Sequence, residues 1–99
     1  MIVTLGDLLL DVIVRLGQPL AEGADADAVT QLGPGGQAAN VAAWVAELGG
    51  EARFVGKRAG DEAGGIAARG LQGHGVDVRG PVVEGRTGTV VSLVDVDGS

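Results

Sequence analysis

Residues 33–40 read Gly33-Pro34-Gly35-Gly36-Gln37-Ala38-Ala39-Asn40, a glycine cluster running into an alanine-rich stretch. Upstream, Ala28–Leu32 carries β-branched Val29 and Thr30 and predicts a short strand. Downstream, Gln37–Leu48 predicts a helix with Val41, Val45 and Leu48 on one stripe. Gly49-Gly50 supplies the stop expected at a helix C-terminus. Glycines between a strand and a helix admit two readings. One is a tight turn with no ligand; the other is backbone brought close to a ligand at a helix N-terminus, whose free N–H groups suit anions and hydroxyls. The spacing Gly33-x-Gly35-x-x-Ala38 also fits a dinucleotide fingerprint. In that case Lys57-Arg58, after the next strand, would imply a 2′-phosphate. The fingerprint normally follows the first strand of its domain, whereas two apolar segments precede it here.

Working outward, Met1–Gly6 reads as a short buried strand and Leu8–Leu16 as a second extended stretch. Gly17–Asp27, acidic and holding Pro19 and Gly23, reads as a loop. Ala52–Gly56 predicts a brief strand. Asp61 is a suitable N-cap for a helix over Glu62–Gly73, weakened by its internal glycines. Val76–Val78 and Thr87–Val96 complete the strands. Asp97-Gly98 is a hairpin signal without a return strand before Ser99, and the expectation is a truncated chain, not a complete domain.

Two polar residues stand out. Asp11 sits among Leu8, Leu9, Leu10, Val12, Ile13 and Val14, where a carboxylate is costly to bury unless it is paired. It either faces a polar ligand or lies at a solvated strand end. Asn40 falls in the first turn of the helix, on the side of Trp44 and Glu47. Exposure there needs no explanation, while burial would demand hydrogen-bond partners. His74, the single histidine, reads as a surface cap between two glycines.

Composition excludes several classes of function. The 99 residues carry 7 Lys+Arg against 13 Asp+Glu, a net charge of −6. A pI near 4.4 leaves no basic face for nucleic acid. One Phe, one Trp and no Tyr offer no base-stacking platform. Without cysteine there is neither a disulfide framework nor a thiolate metal site, and one His provides no His-based metal cluster. The apolar N-terminus lacks a basic region and contains Asp7 and Asp11, which argues against a signal peptide or a membrane span. The expected location is the cytoplasm. Nineteen glycines are well over twice the usual share of about 7%, which predicts many short elements joined by tight turns.

Taken in order, these pieces resemble the N-terminal portion of ribokinase-like sugar kinases, the PfkB carbohydrate kinase family. The matching segments are Gly6-Asp7-Leu8-Leu9-Leu10-Asp11, then Gly35-Gly36-Gln37-Ala38-Ala39-Asn40 closed by Leu48-Gly49. Phe54-Val55-Gly56 with Asp61 and Gly64 follows, then Gly75-Val76-Asp77 and Thr87-Gly88-Thr89. The resemblance implies a three-layer α/β/α ribokinase-like (Rossmann-like) core with a small β-sheet lid, the lid drawn from residues 8–32 and 87–96. It implies that Asp11 and Asn40 hydrogen-bond sugar hydroxyls and that the Gly35-Gly36 backbone lies against the sugar. ATP and Mg²⁺ are implied for the parent enzyme. The family's nucleotide site, anion hole and catalytic aspartate lie in the C-terminal half, so the resemblance implies an inactive chain when these 99 residues stand alone. The implied partners are a small sugar or nucleoside and a second copy through the lid, with no nucleic acid and no membrane.

Departures bear on the substrate. Leu9 stands where ribokinases proper carry Asn, Gln37 where they carry Lys, and Ala59-Gly60-Asp61 replaces Gly-Asp-Asp. Ribose itself is therefore disfavoured against another sugar, a sugar acid or a nucleoside. The alternatives from other classes are an NADP-type dinucleotide module built on Gly33–Ala38, and a non-catalytic interaction module whose glycines are merely turns.

Overall fold

The computed structural model describes residues 1–17 and 28–94. The loop expected over Gly17–Asp27, apart from Gly17 itself, and the hairpin signal at Asp97-Gly98 lie outside them. In chain order the elements are β1 (Ile2–Leu5), β2 (Leu9–Leu16), β3 (Ala28–Gly35), α1 (Gln37–Glu47), β4 (Ala52–Val55), β5 (Arg58–Ala59), α2 (Glu62–Gly73), β6 (Asp77–Arg79), β7 (Val82–Val83) and β8 (Thr89–Val94).

Strands form a parallel sheet in the order β1-β4-β6, a second sheet in the order β3-β2-β8 and a two-stranded pair β5-β7. In the second sheet β2 runs antiparallel to β3 and parallel to β8. Alternation along β4 sends Ala52 and Phe54 inward, both buried, while Arg53 lies on the opposite face and pairs with Asp77 at 2.8 Å. Arg79 reaches the same carboxylate at 2.9 Å, and these two guanidiniums hold Asp77 below the usual carboxylate range, Arg79 contributing most. The core joins Leu8, just before β2, and Leu10 within it to Ala39 and Ala42 of α1, Phe54 of β4, and Ala67, Ala68 and Leu71 of α2. One apolar cluster thus ties the second sheet to the parallel sheet through both helices.

Both helices end alike. Gly49 and Gly50 donate to Ala46 and Val45 behind α1, and Gly75 and Val76 donate to Gln72 and Leu71 behind α2. Each is a Schellman closure with a left-handed glycine, φ 88° at Gly49 and 90° at Gly75.

Five expectations are corrected. The first is the buried strand at Met1–Gly6: Ile2, Val3 and Leu5 of β1 are at least half exposed, because the described residues cover one face of β1 only, with α1, and pair it only with β4. The strand expected over Ala28–Leu32 continues through Gly33-Pro34-Gly35, because β3 is an edge strand and tolerates a proline without a ladder donor. The glycine cluster is therefore mostly strand, and only Gly36 makes the turn. Placing those glycines in an antiparallel strand of the second sheet removes the dinucleotide reading, which needs them after a strand of the parallel sheet. The Val41/Val45/Leu48 stripe is not the buried face of α1: Val41 is 47% and Leu48 83% exposed, while Ala39 and Ala42 are fully buried. Small side chains let α1 lie close to β1, β4 and β3 together. Finally, β5 and β7 were not expected, since two-residue strands leave no periodicity to read.

Candidate functional site

Asp11 lies near the start of β2, opposite Gly33 of β3 in the antiparallel ladder. Its carboxylate packs against the backbone of Gly35, which is buried. A Cβ at Gly35 would sit 2.6 Å from Asp11 Cγ and 3.0 Å from its Oδ2, so a bare position is what admits the carboxylate. One residue on, Gly36 is the N-cap of α1 with φ 96° and no side-chain cap, and a Cβ there would lie 2.7 Å from the Asp7 carbonyl oxygen. The chain turns from strand to helix where only glycine fits. Asn40 then follows in the first turn of α1, its N–H donating to the Gly36 carbonyl at 2.9 Å.

This local geometry brings Asp11 and Asn40 to one cleft of about 340 Å³, lined also by Gly33, Pro34, Ala43 and His74. A carboxylate that accepts, an amide that donates and accepts, and exposed strand backbone suit several hydroxyls at once. Gly35 and Gly36 stand differently. Gly35 shapes the cleft through Asp11 without lining it. Gly36 lines a separate cleft of about 540 Å³ with Thr4, Gly6, Asp7 and Gln37, at the C-terminal end of β1.

His74 caps the C-terminus of α2, as expected. Its place beside the cleft was not foreseen. His74 Nδ1 lies 2.7 Å from Glu47 Oε1, joining α2 to α1 at the rim, and Asn40, Trp44 and Glu47 line an adjoining cleft with it. Helical spacing already put Asn40, Trp44 and Glu47 on one side of α1. The arrival of His74 depends on how α2 packs and leaves no sequence signal. Among the described residues, no group of three or more His, Cys, Asp or Glu is placed to hold a metal ion.

Comparison with known proteins adds the context. The family model described as pfkB family carbohydrate kinase matches residues 1–99. Fructokinase-1 of Oryza sativa subsp. japonica is 41% identical over 95 residues, which is 95% of this chain and 28% of the relative. Fructokinase-1 of Zea mays is 40% identical over the same shares. A solved carbohydrate kinase from Agrobacterium tumefaciens superposes with a TM-score of 0.76 at 26% identity, covering 98% of this chain and 32% of its own. Phosphofructokinase-2 from Escherichia coli in complex with fructose-6-phosphate gives 0.84 at 24% identity over 99% and 33%, a likeness of fold. The chain spans about 28% of the length of the curated relatives it matches.

Proposed function

Because this chain belongs to the pfkB family of carbohydrate kinases, we propose that it carries the sugar-binding side of an ATP-dependent kinase acting on a sugar hydroxyl. The observation that carries this reading is the convergence of Asp11 and Asn40 on one cleft. Asp11 accepts from hydroxyls, and the Asn40 amide both donates and accepts, so the pair fixes which face of a sugar ring enters. A ketohexose such as fructose is the proposed substrate, after the fructokinases to which the chain is similar. The β3-β2-β8 sheet is the proposed lid. Gly35 keeps Asp11 in place beneath it, and Gly36 leaves the N-terminus of α1 open towards the end of β1.

Bound elsewhere in the whole protein, ATP would supply the phosphoryl group and Mg²⁺ would offset its charge. The Asp11–Asn40 cleft does not fit the nucleotide. A cleft faced by the Asp11 carboxylate repels a triphosphate, and among the described residues no group of three or more His, Cys, Asp or Glu is placed together. No catalytic base is assigned among them. No helix of the described residues is long and apolar enough to cross a membrane, and the cytoplasm is the proposed location. A dimer through the second sheet is proposed from its edge strand β8, whose Val90, Val91 and Leu93 are exposed.

The test is fructose binding by the whole protein, measured by calorimetry. Losing a hydrogen bond to a charged group costs about 1.5–3 kcal/mol, so Asp11→Ala is expected to raise the fructose Kd at least about tenfold with the fold intact. Asn40→Ala is expected to weaken binding in the same direction. Unchanged affinity in both variants would remove the sugar reading of the cleft.

A further inference from the structure

Asp61 does more than a helix cap requires. An N-cap needs one acceptor for one orphan N–H, and Asp61 Oδ1 accepts the Gly64 N–H at 2.8 Å. Its other oxygen, Oδ2, accepts the N–H of Thr87 at 2.8 Å, and the Thr87 hydroxyl donates to Oδ1. Thr87 lies 26 residues further along the chain, just before β8. The connection continues from there: the Gly88 carbonyl accepts the Leu10 N–H at 2.9 Å, and β8 then runs beside β2 with Asp11 opposite Val90. The N-terminus of α2 is thereby joined through Asp61, Thr87 and Gly88 to Leu10, the residue next to Asp11.

The chemistry is particular to a carboxylate. Two donors from Thr87 and one from Gly64 need two oxygens with no hydrogen of their own. Asparagine would cap the helix equally well, but would turn an NH₂ group towards the Thr87 N–H. Space is equally restricted, since a Cβ at Gly64 would sit 2.9 Å from Thr87 Oγ1 and 3.0 Å from Asp61 Oδ1. The same bonds, the Thr87 hydroxyl foremost, hold the Asp61 carboxyl below its usual range.

We propose that Asp61 is a positioning residue for the Asp11–Asn40 cleft, fixing where β8 begins relative to α2 and hence where β2 presents Asp11 to α1. The inference rests on the sugar reading of that cleft and adds the part that holds it in register.

Asp61→Asn and Thr87→Val in the whole protein provide the test, with Asp11→Ala run in parallel. Both variants leave the Asp61–Gly64 cap in place, so circular dichroism is expected to stay at wild type. Fructose Kd is expected to rise about three- to tenfold, because only part of the cost of losing a hydrogen bond to the Asp61 carboxylate is transmitted to the cleft. Hydrogen exchange at the Leu10 amide is expected to accelerate. Once Asp11 is truncated there is nothing left to position, so Thr87→Val added to Asp11→Ala is expected to change Kd less than about twofold. An unchanged fructose Kd in Thr87→Val, while Asp11→Ala still loses binding, overturns the positioning role and leaves the sugar reading standing. If Asp11→Ala binds fructose normally, the sugar reading fails and Asp61 has no ligand site to position.

Discussion

At the scale of single residues, the candidate site depends on a missing side chain as much as on those present. Gly35 is not in the left-handed region of the backbone map, so alanine is acceptable to its backbone and only the Asp11 carboxylate resists it. Gly35→Ala is therefore expected to displace Asp11 and to raise the fructose Kd of the whole protein by about as much as Asp11→Ala, roughly tenfold. Combining the two is expected to add little, because shortening Asp11 removes the collision. Calorimetry on the single and double variants checks this, and additive losses would show that Gly35 acts otherwise than through Asp11. The residue types Asp11, Gly35, Gly36 and Asn40 were legible in the sequence. Which of them share a cleft was not, because 22 residues separate Gly33 from Asp11 and only the β2–β3 register brings them opposite each other.

Among the elements, α1 carries the clearest consequence. A stripe of valine and leucine is the usual sign of a buried helix face, yet α1 packs through Ala39 and Ala42. Three strands converge on it, and larger side chains would hold them apart. Ala42 has no exposure, so Ala42→Leu is expected to destabilise the protein by about 1–3 kcal/mol through overpacking. This is a substantial part of a typical stability of about 5–15 kcal/mol. A lower urea midpoint with an unchanged slope is the expected signature, and an unaltered midpoint would mean that α1 has room the packing does not indicate. The end of α1 at Gly49-Gly50 was readable in advance, since a left-handed glycine behind a helix is a local requirement. The small strands β5 and β7 were not, being fixed only by pairing with each other.

At the scale of the whole molecule, the chain is a thin body. Its radius of gyration is 15.3 Å and its extents are 47 × 33 × 17 Å, against about 13 Å for a compact chain of about 100 residues. Ile2, Val3 and Leu5 of β1 are at least half exposed, and among the described residues β1 has a partner on one side only. Strand β8 has the same one-sided pairing and exposes Val90, Val91 and Leu93. Open apolar edges are templates for another strand. The 99 residues on their own are therefore expected to self-associate at micromolar concentration. Light scattering together with urea unfolding decides this: species heavier than the 9.8 kDa monomer are expected, whereas a monomer with one sharp transition would refute the expectation.

The sequence by itself determined what is local. The strand-then-glycine-then-helix order, the Gly49-Gly50 closure behind α1 and the Asp61 cap of α2 follow from backbone propensities within a few residues. The ordered motifs from Gly6 to Thr89 pointed to the family. Tertiary structure alone decided the rest: that Gly33-Pro34-Gly35 completes an edge strand, that Ala39 and Ala42 are the fully buried face of α1 while Val41 and Leu48 are exposed, that His74 meets Glu47 beside the cleft, and that Asp61 reaches Thr87. Each is a contact between segments distant in the chain. Local preference leaves such contacts open, and only the shared burial of β2, β4, α1 and α2 in one core selects them.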